Sequence, residues 1–346
     1  MPRRPRRPEV TLELYLAGLL LAALVAYALL AGADFGGGIW DALATGPTAR
    51  RQREVIAHAI GPIWEANHVW LIAVLVLLFA CFPLAYAVLA TTLHIPFTLL
   101  LLGIVLRGAA FAFRAYDTQA TAVHLRWSRA FALGSVLAPL MLGISLGAAV
   151  SGRLRVDAEG HPTVGFVEGW WAPFPVAVGC FVVAVFAFLA AVYLTVAAGE
   201  DAELAERFRV RALASAVGVT VLAWVVFALT GEGAPHLREG LWSSWWGPPF
   251  QVGTAAVGLA CLHALWTRRY LRARALAAAQ VVAVVAGFGA SQFPHLVYPD
   301  ITFARAAAPP EVLQTVAVTM TVGLVLIAPA YAWLLRVFGP GATPRA

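Results

Sequence analysis

Long apolar runs separated by short polar stretches set the pattern of this chain. A helix rises about 1.5 Å per residue, so about 20 apolar residues cross the roughly 30 Å hydrocarbon core of a membrane. Runs of about that length predict nine membrane-spanning helices, of which the seventh and eighth are short and are separated by a cluster of arginines. The predicted spans lie near residues 11–33, 55–80, 84–112, 127–150, 172–198, 210–230, 250–267, 275–293 and 311–338.

The composition supports this prediction of an all-α integral membrane protein. Hydrophobic residues make up 61% of the 346 positions and charged residues only 12%, whereas soluble domains carry roughly 25% charged residues. A soluble globular protein is therefore excluded. Cys81, Cys180 and Cys261 are isolated, each within an apolar run, which indicates buried thiols rather than a disulfide framework or a metal site.

The N-terminal segment imitates a cleaved signal peptide, because four arginines precede an apolar run that ends in Ala31-Gly32-Ala33. The apolar part of a signal peptide is roughly 7–15 residues long. The run from Leu14 to Ala33 is longer, about 20 residues, and suits a transmembrane helix. We therefore expect it to be the first span.

The positive charges predict the orientation. All 24 positively charged residues are arginines, and most lie in short loops between the apolar runs. This distribution is typical of residues that set the topology of a membrane protein, not of a surface that binds nucleic acid. With nine spans the termini lie on opposite sides of the membrane. An external N-terminus places sixteen arginines inside, and a cytoplasmic one places eight there. The positive-inside rule therefore predicts an external N-terminus and a cytoplasmic C-terminus.

Two predicted outer loops, 151–171 and 231–249, are rich in tryptophan. Indole rings prefer the headgroup level of a membrane, so we expect interface anchors. The alternative is that they stack on a cofactor or contact a quinone headgroup. The residues are Trp170, Trp171, Trp242, Trp245 and Trp246.

The stretch 56–72 places ionisable groups inside an apolar span. On a helix that starts near Val55, Glu65 lies about 15 Å along the axis, close to mid-membrane. His58 and His68 are at i−7 and i+3 from Glu65 and would share its face, and Gly61-Pro62 between them predicts a weakened or kinked helix. Ionisable residues within spans usually mark ion or proton pathways, so we expect a functional site here.

Asp34 is the second acidic candidate, at the predicted cytoplasmic end of the first helix and just before Gly36-Gly37-Gly38. Asp34 near the inner surface and Glu65 at mid-depth would form a ladder for protons entering from the cytoplasm. The alternative is that Asp34 caps a helix or ties two helices together. Arg107 and Arg114, at the inner end of the third span, are predicted to be structural charges that snorkel to the surface, although either could hold a carboxylate.

Metal and transport chemistries are the alternatives. Glu65 and His68 form a Glu-x-x-His pair, as in di-iron bundles, but no second copy exists. Paired histidines on facing helices could bind a haem, but no spacing among the histidines of this chain singles out a pair. An ion-coupled transporter could bind its coupling ion at Glu65 beside a broken helix. The histidines considered for haem are His58, His68, His94, His263 and His295.

Four blocks of sequence resemble subunit II of the cytochrome bd-type quinol oxidases, and they occur in the order of that family. One departure is at 64–68: the family usually reads Trp-Asp-Gly-Asn followed by Gln or Glu, and this chain has Trp-Glu-Ala-Asn-His. His68 therefore adds a group that titrates near pH 6.5, as a divergent member would. The blocks are Asp34-Phe35-Gly36-Gly37-Gly38, Gly61 to Leu71, Leu106 to Arg114, and Ser291-Gln292-Phe293-Pro294.

The resemblance implies two four-helix bundles and a peripheral helix, with residues 1–150 forming the first bundle and 151–346 the second bundle plus the C-terminal helix. It implies a terminal oxidase of the bacterial inner membrane that oxidises quinol and reduces dioxygen to water. This chain would carry no cofactor or metal and would scaffold a haem-bearing subunit I, which holds haem b. Haem d and small accessory subunits are left open, and no nucleic acid is involved.

The resemblance also implies roles for individual residues. Glu65 and Asp34 match acidic positions of the family that contribute to proton delivery from the cytoplasm. Asn67, His68 and His58 would line the same pathway. Trp64 would contact quinone or lipid.

Overall fold

The protein is described by a computed structural model that covers residues 9–61, 64–116 and 122–338. Helices dominate, and two short strands form a hairpin near the C-terminal helix. The elements are α1 (Glu9–Ala42), α2 (Ala49–Ile60), α3 (Trp64–Asn67), α4 (Val69–Cys81), α5 (Pro83–Thr92), α6 (His94–Tyr116), α7 (Ala122–Val150), α8 (Pro173–Ala197), α9 (Ala202–Gly233), α10 (Pro235–Trp242), α11 (Gly247–Trp266), α12 (Tyr270–Gln292), β1 (His295–Val297), β2 (Ile301–Thr302), α13 (Phe303–Ala306) and α14 (Pro310–Phe338).

The predicted all-α membrane fold is confirmed. Within the described ranges, eight helices are long and apolar enough to cross a membrane. A ninth span results if the bent pair Ala49–Ile60 and Glu65–Cys81 is counted as one.

The first helix is longer than predicted. α1 continues to Ala42, so Asp34 lies inside the helix and does not close it. The prediction was wrong because the three glycines were interpreted as the end of the helix. Glycine also allows another chain segment to approach a helix closely, which is its role here. A Cβ on Gly36 would lie 2.0 Å from the backbone oxygen of Phe186 in α8, and one on Gly38 would lie 2.0 Å from Oγ of Ser135 in α7.

The same glycine run has a third close neighbour. A Cβ on Gly37 would lie 2.6 Å from Cδ1 of Ile60 in α2. Successive residues of a helix point about 100° apart, so three glycines in a row let three helices approach α1 from different directions. This places the segment after Asp34 at the centre of the molecule.

The second and third predicted spans are interrupted. The axes of Ala49–Ile60 and Glu65–Cys81 differ by 49°, and Pro62 and Ile63 lie outside the described residues. The third span divides into α5 and α6 at Leu93, whose backbone is not helical. This bend agrees with the kink predicted beside Gly61, and helical spacing across it no longer places His58 and Glu65 on one face.

The core joins the two halves of the chain. α8 packs against α1, α7 and α9. Trp40 Nε1 of α1 donates a hydrogen bond of 2.7 Å to the Ala187 oxygen of α8. α14 lies beside α1 and α4, and the hydroxyls of Tyr15 and Thr321 are 2.6 Å apart. The division into two bundles at residue 150 stays a prediction.

Two expectations about single side chains are corrected. Trp170 is buried and its Nε1 donates to the Phe166 oxygen, so it packs inside the loop rather than anchoring at an interface. Trp171, Trp242 and Trp245 are exposed. Cys180, expected to be buried, is also exposed, because it lies on the outward side of α8.

Candidate functional site

A chain of hydrogen bonds, buried at Asp34 and Asn67, links Asp34, Asn67 and Tyr331. Asn67 Nδ2 donates to Asp34 Oδ2 at 2.5 Å, and the Tyr331 hydroxyl donates to Asn67 Oδ1 at 2.6 Å. Asp34 and Asn67 are both buried, and Asn67 has no exposed surface at all. The short helix α3 that follows the break therefore connects α1 to the C-terminal helix α14.

Arg107 is buried beside the Asp34 backbone and is 2% exposed. Its Nη2 donates to the Asp34 carbonyl oxygen at 3.0 Å. The guanidinium carbon lies 5.1 Å from the ring centre of Phe35 and 5.3 Å from that of Phe131, distances at which a cation is attracted to an aromatic face. The predicted snorkelling of Arg107 is therefore wrong, because its charge points into the bundle.

A second arginine pairs with a carboxylate that the sequence analysis missed. Arg114 forms a two-pronged ion pair with Asp41, at 2.9 and 3.1 Å, and lies over the same Phe131 ring. Asp34 and Asp41 are seven residues apart on α1, and Arg107 and Arg114 are seven apart on α6. Residues seven apart lie on one helix face, so the two helices present matched acidic and basic positions.

The matched spacing of the two aspartates and the two arginines could be predicted from the sequence only if α1 was known to extend to Ala42. The prediction ended the helix at residue 33, which left Asp41 in a loop with no defined face. Tyr331 gave no signal, because a single tyrosine in an apolar helix has no distinctive pattern.

His68 lies next to the network, half-buried, with its ring centre 6.0 Å from those of Tyr27 and Phe35. Glu65 and His58 are exposed and do not join the buried network. The side chain of Trp64 lies outside the part of the chain whose side chains are described. The structure thus brings together Asp34, Asn67 and Arg107 and leaves Glu65 at the surface.

A large apolar groove of about 790 Å³ runs between α1, α4, α6 and α12. Leu21, Leu75, Leu101 and Phe288 are among its lining residues. Ligand pockets usually measure roughly 300–1,000 Å³, so the groove can accommodate a lipid chain or another long apolar molecule.

In the described ranges, no group of three or more His, Cys, Asp or Glu side chains is arranged to hold a metal ion. Of the histidines considered as haem ligands, His295 lies against another histidine, His236, with ring centres 5.0 Å apart. The sequence analysis did not single out His236.

Known proteins share both the sequence pattern and the fold. The family model described as cytochrome bd terminal oxidase subunit II matches residues 12–338. The chain is 34% identical over 148 residues to cytochrome bd ubiquinol oxidase subunit 2 of Bacillus subtilis. This aligned region covers 41% of each protein. It is 23% identical over 322 residues to the putative cytochrome bd menaquinol oxidase subunit II of the same organism, which covers 90% of this chain and 91% of that one.

A solved structure of bd oxidase from Geobacillus thermodenitrificans has a similar chain, with a TM-score of 0.79 at 21% identity. The match covers 95% of this chain and 98% of that chain. At this identity the likeness shows the fold alone.

Proposed function

This chain belongs to the cytochrome bd terminal oxidase subunit II family, and from this membership we propose that it supports quinol oxidation and dioxygen reduction without binding haem itself. The observation that carries the proposal is the family match, which spans residues 12–338. A broken helix beside Glu65 would also suit an ion-coupled transporter, but the family match favours the oxidase.

The proposed partner is a haem-bearing subunit I, which holds haem b. Exposed apolar side chains on the long helices support a role as scaffold, because they need either lipid or another protein to cover them. Val217, Val221 and Trp224 form such a stripe along α9, at the spacing of one helix face. The apolar groove supports contact with lipid or with the tail of a quinone.

We propose that protons consumed in dioxygen reduction enter from the cytoplasm through this subunit. Asp34 and Glu65 are the two proton carriers, Asp34 in the buried network and Glu65 exposed at the helix break. Asn67 has no titratable group, so its role is to hold the Asp34 carboxylate in place. His68 and His58 accompany the path, with His68 close to Phe35 beside Asp34.

The oxidase assignment is tested by reduced-minus-oxidised visible spectra. The chain is purified from its own membranes and, separately, after expression alone. We expect haem bands and a second large hydrophobic subunit in the native preparation only. Haem bound by the lone chain would make its histidines ligands, and the absence of haem from both preparations would overturn the assignment.

A further inference from the structure

Two histidines meet where α10 and the β1–β2 hairpin come together. His236 is the second residue of α10, and His295 begins β1. Their rings are 5.0 Å apart between centres and nearly perpendicular, at 82°. Neither residue takes part in the proposed proton path.

Each ring has one buried nitrogen that has no hydrogen-bond partner: Nε2 of His236 and Nδ1 of His295. Buried polar atoms are rarely left unpaired, so two such atoms in one pair of rings need an explanation.

The surrounding contacts hold both rings in place. The Tyr298 ring stacks on His236 at 4.7 Å and 7°, and the Tyr298 amide donates to the Ala149 oxygen. Asp300 accepts two hydrogen bonds from Arg155, at 2.7 and 3.2 Å, which ties the hairpin to the preceding loop. The hairpin and α10 therefore present the two rings in a fixed arrangement.

We propose that His236 and His295 form a binding site for a divalent transition-metal ion of the zinc and copper class. Imidazole nitrogen suits these ions. Two imidazoles that bind one tetrahedral ion with bonds of roughly 2.0–2.1 Å have ring centres about 5 Å apart, in agreement with the observed separation. His236 Nε2 and His295 Nδ1 are the two ligands, and water completes the coordination.

The test is zinc binding to the purified oxidase complex after treatment with EDTA. Zinc bound at equilibrium is measured for the wild type, His236→Phe, His295→Ala and His161→Ala. Phenylalanine at 236 keeps a ring to stack on Tyr298 but has no nitrogen donor. His161 is a matched control, since it lies in a neighbouring loop and its side chain is 78% exposed.

We expect the wild type and His161→Ala to bind one more zinc ion per complex than either of the other variants. His236→Phe should need at least about 10-fold more zinc than the wild type to reach the same occupancy, because the loss of a contact at a metal site typically lowers metal affinity by about this factor or more. Zinc should also raise the melting temperature of the wild type and of His161→Ala only. Wild-type zinc binding by His236→Phe, or an equal loss in His161→Ala, would overturn the proposal.

Discussion

Replacement of Asn67 by leucine is the sharpest test of the buried network. Leucine has a similar size and no polar atom, so both hydrogen bonds of Asn67 are lost while the space stays filled. Asn67 is fully buried, and water cannot replace its amide. Asp34 Oδ2 and the Tyr331 hydroxyl would each lose a partner.

The size of the effect follows from the two atoms left unpaired. A buried polar atom without its partner costs about 1–3 kcal/mol, and a charged one costs the most. Tyr331 is only half-buried, so water compensates its hydroxyl in part. We therefore expect Asn67→Leu to lower the free energy of unfolding by about 4 kcal/mol, of which Asp34 contributes about 3.

The assay is unfolding of the purified chain in mixed micelles by increasing amounts of a denaturing detergent. Tyr331→Phe serves as the matched variant, because it removes only the outer hydrogen bond and should cost about 1 kcal/mol. The double variant should be no less stable than Asn67→Leu alone, since both changes break the same bond. A loss below about 0.5 kcal/mol in Asn67→Leu, as at ordinary surface sites, would refute the network.

Three further predictions concern packing, pH and topology. Gly36→Ala should lower the melting temperature of the complex or prevent its assembly, because the new Cβ would lie 2.0 Å from the rigid Phe186 carbonyl; Gly18→Ala, with open space around it, should be no less stable. Burial raises the pKa of Asp300, but hydrogen bonds from Arg155 and the Val156 amide outweigh it, so the pKa is lowered from 3.8. The stability that Asp300 contributes is therefore complete above pH 3.8 and is lost as the pH falls through the lower folded value. Thermal melts from pH 6 down to about pH 2 should show this loss in the wild type and not in Asp300→Asn, whereas equal pH dependence in both would contradict it. A reporter enzyme that works only in the cytoplasm should be active when it is fused to the C-terminus. Activity of a fused reporter that works only outside the membrane would show that the predicted orientation is reversed.

The positions of the membrane-spanning helices were predicted well, because they depend mainly on the length and hydropathy of the apolar runs. Apolar runs of about 20 residues can satisfy their backbone groups in a membrane only as helices or closed barrels, so the positions of the spans could be predicted from composition. Interruptions were harder to place. The bend beside Gly61 was expected from the Gly-Pro pair. The break at Leu93 was not predicted, although Pro96, which cannot donate a hydrogen bond to the Thr92 oxygen, follows it closely.

The candidate site was only partly predictable, because its contacts depend on helix packing. Asp34 and Asn67 stood out as polar residues in apolar surroundings. Their direct hydrogen bond could not be predicted, since it depends on how the short α3 helix lies against α1. The Asp41–Arg114 pair was missed because the glycine run was interpreted as the end of α1, when the glycines instead let α1 pack closely against its neighbours.

Oxygen consumption by variants of Glu65 tests the central claim that this subunit delivers protons. Because Glu65 is exposed, its replacement should leave assembly largely intact. At matched haem content, we expect Glu65→Gln to consume oxygen far more slowly than the wild type, since glutamine cannot carry a proton. Glu65→Asp should be mildly affected, and Glu54→Gln, an exposed control on α2, should equal the wild type. Equal turnover in Glu65→Gln and the wild type would contradict the account.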